Sequence, residues 1–250
     1  MSLKYGRYTE VIQLLVSIHK GTMSIFHLLA IASAVTLLIA SSSASSVKPV
    51  KLAQIFDQEM IGADVAYFEQ VVGPARNTYD NTKIYKVDGC EVTATISGIS
   101  VRALRVDLSP QCTFNLNKFL PNFSNRFPPP HVMTFGKFDS ITEGTGRFYA
   151  DCLTQCGNAA DPVIFEHWYG SRADLFLEVV LEAVLASSPV LSAAHTWKTA
   201  MEKIEGENWV IDAKFNCTRK YDAIAHRAFQ DVTISAITIG YDVQVPRCER

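Results

Sequence analysis

The sequence predicts an α+β fold with mostly antiparallel strand pairing, a few short helices and disulfide staples. Apolar and polar residues alternate on either side of turn residues between Ile84 and Leu108 and again between Arg147 and Leu185, as half-buried antiparallel strands require. Short separate runs carry apolar residues at helical spacing and stop at glycine. Six cysteines, Cys90, Cys112, Cys152, Cys156, Cys217 and Cys248, all follow a leader-like segment, so they read as an oxidised framework.

That leader opens the chain. Ile25 to Ala40 reads IFHLLAIASAVTLLIA, with no charge after Lys20, and runs into the small-residue tail Ser41–Ser46. A basic flank, an apolar run and small residues make a secretory signal peptide, cleaved after a pair such as Ser42 and Ala44, or Ala44 and Ser46. Residues 1–46 are therefore expected to direct export to a periplasmic or extracellular location, with Met23 as an alternative start. A spanning helix needs about 20 apolar residues, so membrane attachment is expected only if the leader is retained as an anchor. No cysteine stands at the cleavage site to take a lipid.

The remainder divides into an N-terminal lobe (47–116), a connector rich in Pro, Phe and Asn (117–131) and a C-terminal lobe (132–250), or the two lobes share one domain. Val47–Met60 fits a strand or a helix. Val65, Phe68, Val71 and Val72 lie on one helical face, and Gly73-Pro74 stops the run. Strands follow at Ile84–Ile96, bent or broken at Asp88-Gly89, and at Val101–Leu108, with Gly98 in the intervening turn. Pro128-Pro129-Pro130 excludes helix or central strand, which makes 117–131 a connector or a lid.

Three strand-like runs come next, Arg147–Leu153, Val163–Tyr169 and Leu175–Leu185, with a turn at Gly170–Ala173; the third also fits a helix, since Glu178 and Glu182 are four apart, but its β-branched and aromatic content favours strand. Ser192 is a candidate cap for a helix over Ala193–Glu205, ended by Gly206. A strand at Trp209–Asn216, a short helix at Tyr221–Phe229 and a long final strand at Val232–Val245 complete the chain. Gly144-Thr-Gly146 reads as a turn, and no repeat of 20–50 residues is visible.

Of the chain's 23 basic and 25 acidic residues, Lys4, Arg7, Lys20 and Glu10 precede residue 47, leaving 20 against 24 and a net charge of −4. No basic tract exceeds Arg219-Lys220, so nucleic acid is not an expected partner. Neighbour pairing of the cysteines, Cys90–Cys112, Cys152–Cys156 and Cys217–Cys248, closes modest loops, although six cysteines allow fifteen arrangements. Asn122 and Asn216 begin glycan acceptor triplets.

Chemistry-bearing groups are few. Cys152 and Cys156 have three residues between them, one more than a redox pair, with Asp151 and Asp161 nearby and no lysine, so a structural staple is the expectation. The histidines after residue 46 (His131, His167, His195, His226) show no metal-ligand spacing, and neither a metal nor a cofactor is assigned. His195, beside Trp197, reads as a cap or surface residue. His167, Trp168, Tyr169, Arg172 and Asp174 cluster round one turn and are the candidate binding rim. Asp222 and His226 stand four apart on a helix, where a carboxylate can orient an imidazole. Nucleophile-elbow, phosphate-loop and zinc-protease motifs are absent, and no catalytic residue is assigned.

Residues Gly62 to Leu108 resemble the small periplasmic helix-then-hairpin modules of the SmpA/BamE type. Gly62, Phe68, Val72, Gly73, Pro74 and Tyr85 carry the match, followed by Cys90–Ile96 and Val101–Val106. The stop reads Gly-Pro rather than Gly-x-Pro, and the lipid-bearing cysteine is missing. The resemblance covers about a fifth of the chain and implies a non-catalytic module that binds or braces another protein. The expected function is thus an exported, non-catalytic protein that binds an envelope or extracellular partner. The alternative is an exported hydrolase or a thiol or metal enzyme with a site near Cys152/Cys156 or Asp222/His226.

Overall fold

The computed structural model describes residues 51–123, 125–144, 146–153, 162–211 and 218–245. In chain order they form α1 (Leu52–Ile55), α2 (Val65–Val72), β1 (Asn77–Tyr79), β2 (Thr82–Val87), β3 (Cys90–Ser97), β4 (Ser100–Asp107), α3 (Phe135–Thr142), β5 (Arg147–Ala150), β6 (Val163–Tyr169), β7 (Glu178–Val184), α4 (Ser188–Glu205), α5 (Glu207–Ile211), α6 (Asp222–Phe229) and β8 (Ala236–Gly240). The strands make one sheet in the order β1-β2-β3-β4-β8-β7-β6-β5, antiparallel throughout. The fold is α+β with an antiparallel sheet, and both halves of the chain contribute to that one sheet.

Local chemistry explains most boundaries. The Ile84–Ile96 run is two strands, because Asp88 and Gly89, at φ 51° and 84°, close a two-residue hairpin. Gly98, at φ 61°, opens the next tight turn. Asp64 caps α2 and Thr134 caps α3, each accepting from a backbone N–H in the first turn. Helix α4 begins at Ser188, earlier than a Ser192 cap implies, because Pro189 suits a first helical turn. Its buried face, Val190, Ala193, Ala194, Trp197 and Met201, keeps helical spacing.

Three expectations are corrected. The described part of the strand expected at Trp209–Asn216 is helix, its remainder lying outside the described residues: Gly206 (φ 91°) ends α4, Glu207 begins a new turn, and the Trp209 ring packs on Tyr221 at 5.6 Å. The final strand is five residues, since only Ala236–Gly240 find partners on both sides. The 117–131 segment is neither spacer nor lid. Three 3₁₀ turns carry Phe119, Leu120 and Phe127 into the core, and Phe123 meets Trp168 edge-on at 5.9 Å. Helix α3 and strand β1 were not anticipated.

One face of the sheet buries the core. A row running across all the strands from β2 to β5 reads Tyr85, Val92, Val106, Ile237, Leu181, Glu166 and Phe148, and every member is buried. Helices α2, α3, α4 and α6 cover this row with Phe68, Phe135, Phe138, Trp197 and Phe229. Glu166 is its one carboxyl side chain.

The two halves are related by an approximate two-fold axis that the sequence hides. Asp64 bridges Ser100 just as Thr134 bridges Thr233. Matching Ser100 to Thr233 carries the five β4–β8 pairs onto themselves, with Arg105↔Thr238 at the centre. Following the pairings outward, Thr95 matches Glu182, Thr82 matches Phe165, and therefore Lys83 matches Glu166 and Tyr85 matches Trp168. On the helices, Phe68 matches Phe138 and Glu69 matches Asp139. Phe68 meets Tyr85 edge-on at 5.2 Å, and Phe138 meets Trp168 edge-on at 6.1 Å. Helices α4 to α6 are an addition to the second half, between β7 and β8.

Cys90 and Cys112 form a disulfide across a sequence separation of 22, as neighbour pairing implies. Cys152 is also disulfide-bonded, while Cys156, Cys217 and Cys248 lie outside the described residues. A loop of the Cys90–Cys112 size is worth about 3 kcal/mol in chain entropy. Replacing both cysteines by alanine is expected to lower unfolding free energy by roughly that amount in denaturant melts, with the far-UV spectrum unchanged.

Candidate buried acid–histidine site

Alternation along β6 places Ile164, Glu166 and Trp168 on the helix-covered face and Val163, Phe165, His167 and Tyr169 on the other. Glu166 is 0 % exposed, wedged between Phe148 and Leu181. Asp139 reaches it from α3 and His226 from α6, and one ligand atom from each of the three lies within 4.8 Å of the others. His226 Nδ1 faces Asp139 Oδ2 at 2.6 Å, and Nε2 faces the Gly146 carbonyl at 3.1 Å. The imidazole also stands edge-on to Phe148, 5.0 Å between centroids. Gly146 is glycine for want of room: a Cβ there would lie 2.0 Å from Glu166 Oε1.

Electrostatics follow from this crowding. Burial, and then the negative charge of Asp139, push the Glu166 carboxyl well above the usual carboxylate range. As two ions, Asp139 Oδ1 and both Glu166 oxygens find no donor; a proton on Glu166 supplies one, donated towards Asp139. Burial works against charge on His226, but the hydrogen bond and charge of Asp139 outweigh it, so its pKa rises. The crowding thus favours a proton on both Glu166 and His226.

The sequence-level pairing of Asp222 with His226 is replaced by Asp139 with His226. Asp222 turns to the sheet edge, where Oδ1 accepts the Phe148 N–H at 2.9 Å. Arg219 donates to the Phe148 carbonyl and, through Nε and Nη2, to Asp222. This ion pair caps the outer edge of β5. In this arrangement both His226 nitrogens are engaged, so neither is free to accept a proton from a nucleophile.

The five residues of the expected binding rim do not converge. Trp168 is core, His167 is 1 % exposed and bonded to Glu178 at 2.7 Å, and Tyr169 stacks on His167 at 4.0 Å. Asp174 is buried and closes a capping box with Ser171, while Arg172 is exposed. Beside them stand Leu175 and Phe176, which sequence reading passed over. Both have left-handed backbone, φ 58° and 57°, and are 58 % and 64 % exposed. His195 lies exposed on α4.

No protein-family model, curated protein or solved structure matches this chain. Among the described residues no helix is long and apolar enough to cross a membrane, and residues 1–46 lie outside them. Asp139 escaped sequence reading, and Glu166 was not joined to His226, because the cluster draws on three elements far apart in the chain. The available signal was a glutamate that alternation sets on one face with Ile164 and Trp168.

Both raised groups hold their protons more tightly folded than unfolded. Stability therefore falls as pH rises, from near 4.5 through the folded value for Glu166 and from near 6.5 through the folded value for His226. Denaturant melts between pH 5 and pH 8 are expected to show this decline. Glu166→Gln keeps the shape and removes the acid's share, so its profile should be flatter below pH 6.5, the ordinary value of His226.

Proposed function

We infer that this protein works by binding another protein, an envelope or extracellular one, and that the β6–β7 tip is the anchor. The supporting observation is the pair Leu175-Phe176. A left-handed backbone costs a bulky residue roughly 1–2 kcal/mol, and here two successive residues bear it with large apolar side chains in water. Strain and exposure together are what a folded chain accepts where function requires it.

The tip is held ready. Ser171 and Asp174 cap each other, Asn122 donates to the Ala173 carbonyl and to Asp174, and Phe176 N–H donates to the Ser171 carbonyl at 3.0 Å. A braced apolar tip loses little freedom on docking, which favours affinity. Arg172 stands exposed on the same turn as a polar margin. The resemblance of residues 62–108 to SmpA/BamE-type modules, and the leader-like segment, support the same reading and the same compartment.

Phe176→Gly is expected to raise unfolding free energy by about 1 kcal/mol, by relieving the backbone, while weakening partner binding at least about 10-fold. A photo-crosslinking residue at position 176, with position 204 on α4 as control, identifies the partner in the native extracellular fraction. The purified partner is then titrated against wild type and Phe176→Gly. An adduct no stronger at 176 than at 204, or unchanged affinity in the variant, overturns the reading.

A further inference from the structure

The approximate two-fold axis supplies an internal comparison. In the first half Glu69 on α2 accepts from Lys83 Nζ at 2.7 Å and from Tyr85 OH at 3.1 Å. The helix carboxylate there meets an ammonium ion from the strand beneath. In the second half Asp139 occupies the Glu69 position, and the Lys83 position is Glu166. A cation has been exchanged for a second carboxylate, and the added helix α6 brings an imidazole to the same point.

We propose that Asp139, Glu166 and His226 bind one divalent transition-metal cation of the zinc type. Two carboxylates and an imidazole are a zinc-type donor set, and imidazole disfavours calcium and magnesium. Ligands on a tetrahedral metal stand about 3.4 Å apart for bonds of ~2.1 Å, and the three donor atoms already lie within 4.8 Å. Glu166, fully buried with neither oxygen meeting a donor, points into the cluster.

The second contact of the histidine completes the case. Nε2–H donates to the Gly146 carbonyl, which holds the ring with Nδ1 towards Asp139, where a metal can take the place of the Nδ1 proton. Metal binding lengthens the Nδ1–Asp139 separation from 2.6 Å by somewhat under 1 Å and retains the Gly146 contact. The metal takes the Nδ1 lone pair and a Glu166 oxygen, and each gives up its proton to solvent.

Titration of the full chain with Co²⁺ tests this without any substitution. Intense visible bands of four- or five-coordinate cobalt, saturating at one per chain and bleached by one equivalent of Zn²⁺ but not by Ca²⁺, are expected. Only the weak spectrum of hydrated Co²⁺, sulfur-to-cobalt charge transfer, or displacement by Ca²⁺ overturns the assignment. By calorimetry, Asp139→Asn and Glu166→Gln are expected to weaken Zn²⁺ binding at least about 10–100-fold, the loss typical even of outer contacts. Glu69→Gln, at the matching position, should leave it unchanged. Zinc binding that both variants retain marks an adventitious ion and overturns the proposal; if the variants do not fold, the wild-type cobalt spectrum decides.

Discussion

The pairing of β4 with β8 is the constraint on which the rest of the molecule depends. Without it there are two small, separate antiparallel sheets, each with an unpaired central edge. The seam is held by five backbone pairs and by a polar knot on the face away from the helices. Arg105 donates through Nε and Nη2 to Glu182, at 2.9–3.0 Å, and Thr238 donates to the same carboxylate at 3.1 Å. Glu182 is almost wholly buried, so its charge is tolerated only because these donors meet it. Gly240 is fixed by the same seam, because a Cβ there would lie 2.3 Å from the Arg102 carbonyl.

Joining two similar halves leaves equivalent positions free to diverge. In the first half the acid of the helix is neutralised by a lysine, a self-contained arrangement. The second half has Glu166 in place of that lysine and carries helices α4 to α6 as an insertion between β7 and β8, which deliver His226 to the core and Arg219 with Asp222 to the sheet edge. The same insertion thus brought an ionisable cluster and the cap that keeps β5 from pairing with another strand.

Much of the fold was legible because periodicity reports burial. The alternation in β3, β4 and β6 and the spacing in α2 and α6 came through, as did the Cys90–Cys112 staple. Failures came where burial had another origin. Residues 117–131 pack through aromatic side chains set among short 3₁₀ turns, so no sustained period announces them. Along the matched helices the one identity is Phe68 with Phe138, beside the acids Glu69 and Asp139, too little for sequence comparison within the chain. The buried cluster was partly legible: His226 was noticed, but its partner was sought on its own helix because only local spacing can be seen in one dimension. Leu175 and Phe176 looked like ordinary strand residues, since nothing in their identity reveals a positive φ.

The place of β8 has a consequence for how the chain acquires its shape. It is the last described strand, yet it lies at the centre of the sheet, between β4 and β7. Until it arrives, the two halves are not joined into one sheet, and two long, apolar strands stand with unsatisfied backbone groups. Closing the sheet waits on the most distant segment, a slow kind of step that leaves the growing chain open to sticking to its neighbours. A chain cut short before residue 236 would therefore be left with two open-edged sheets instead of a smaller version of the same one.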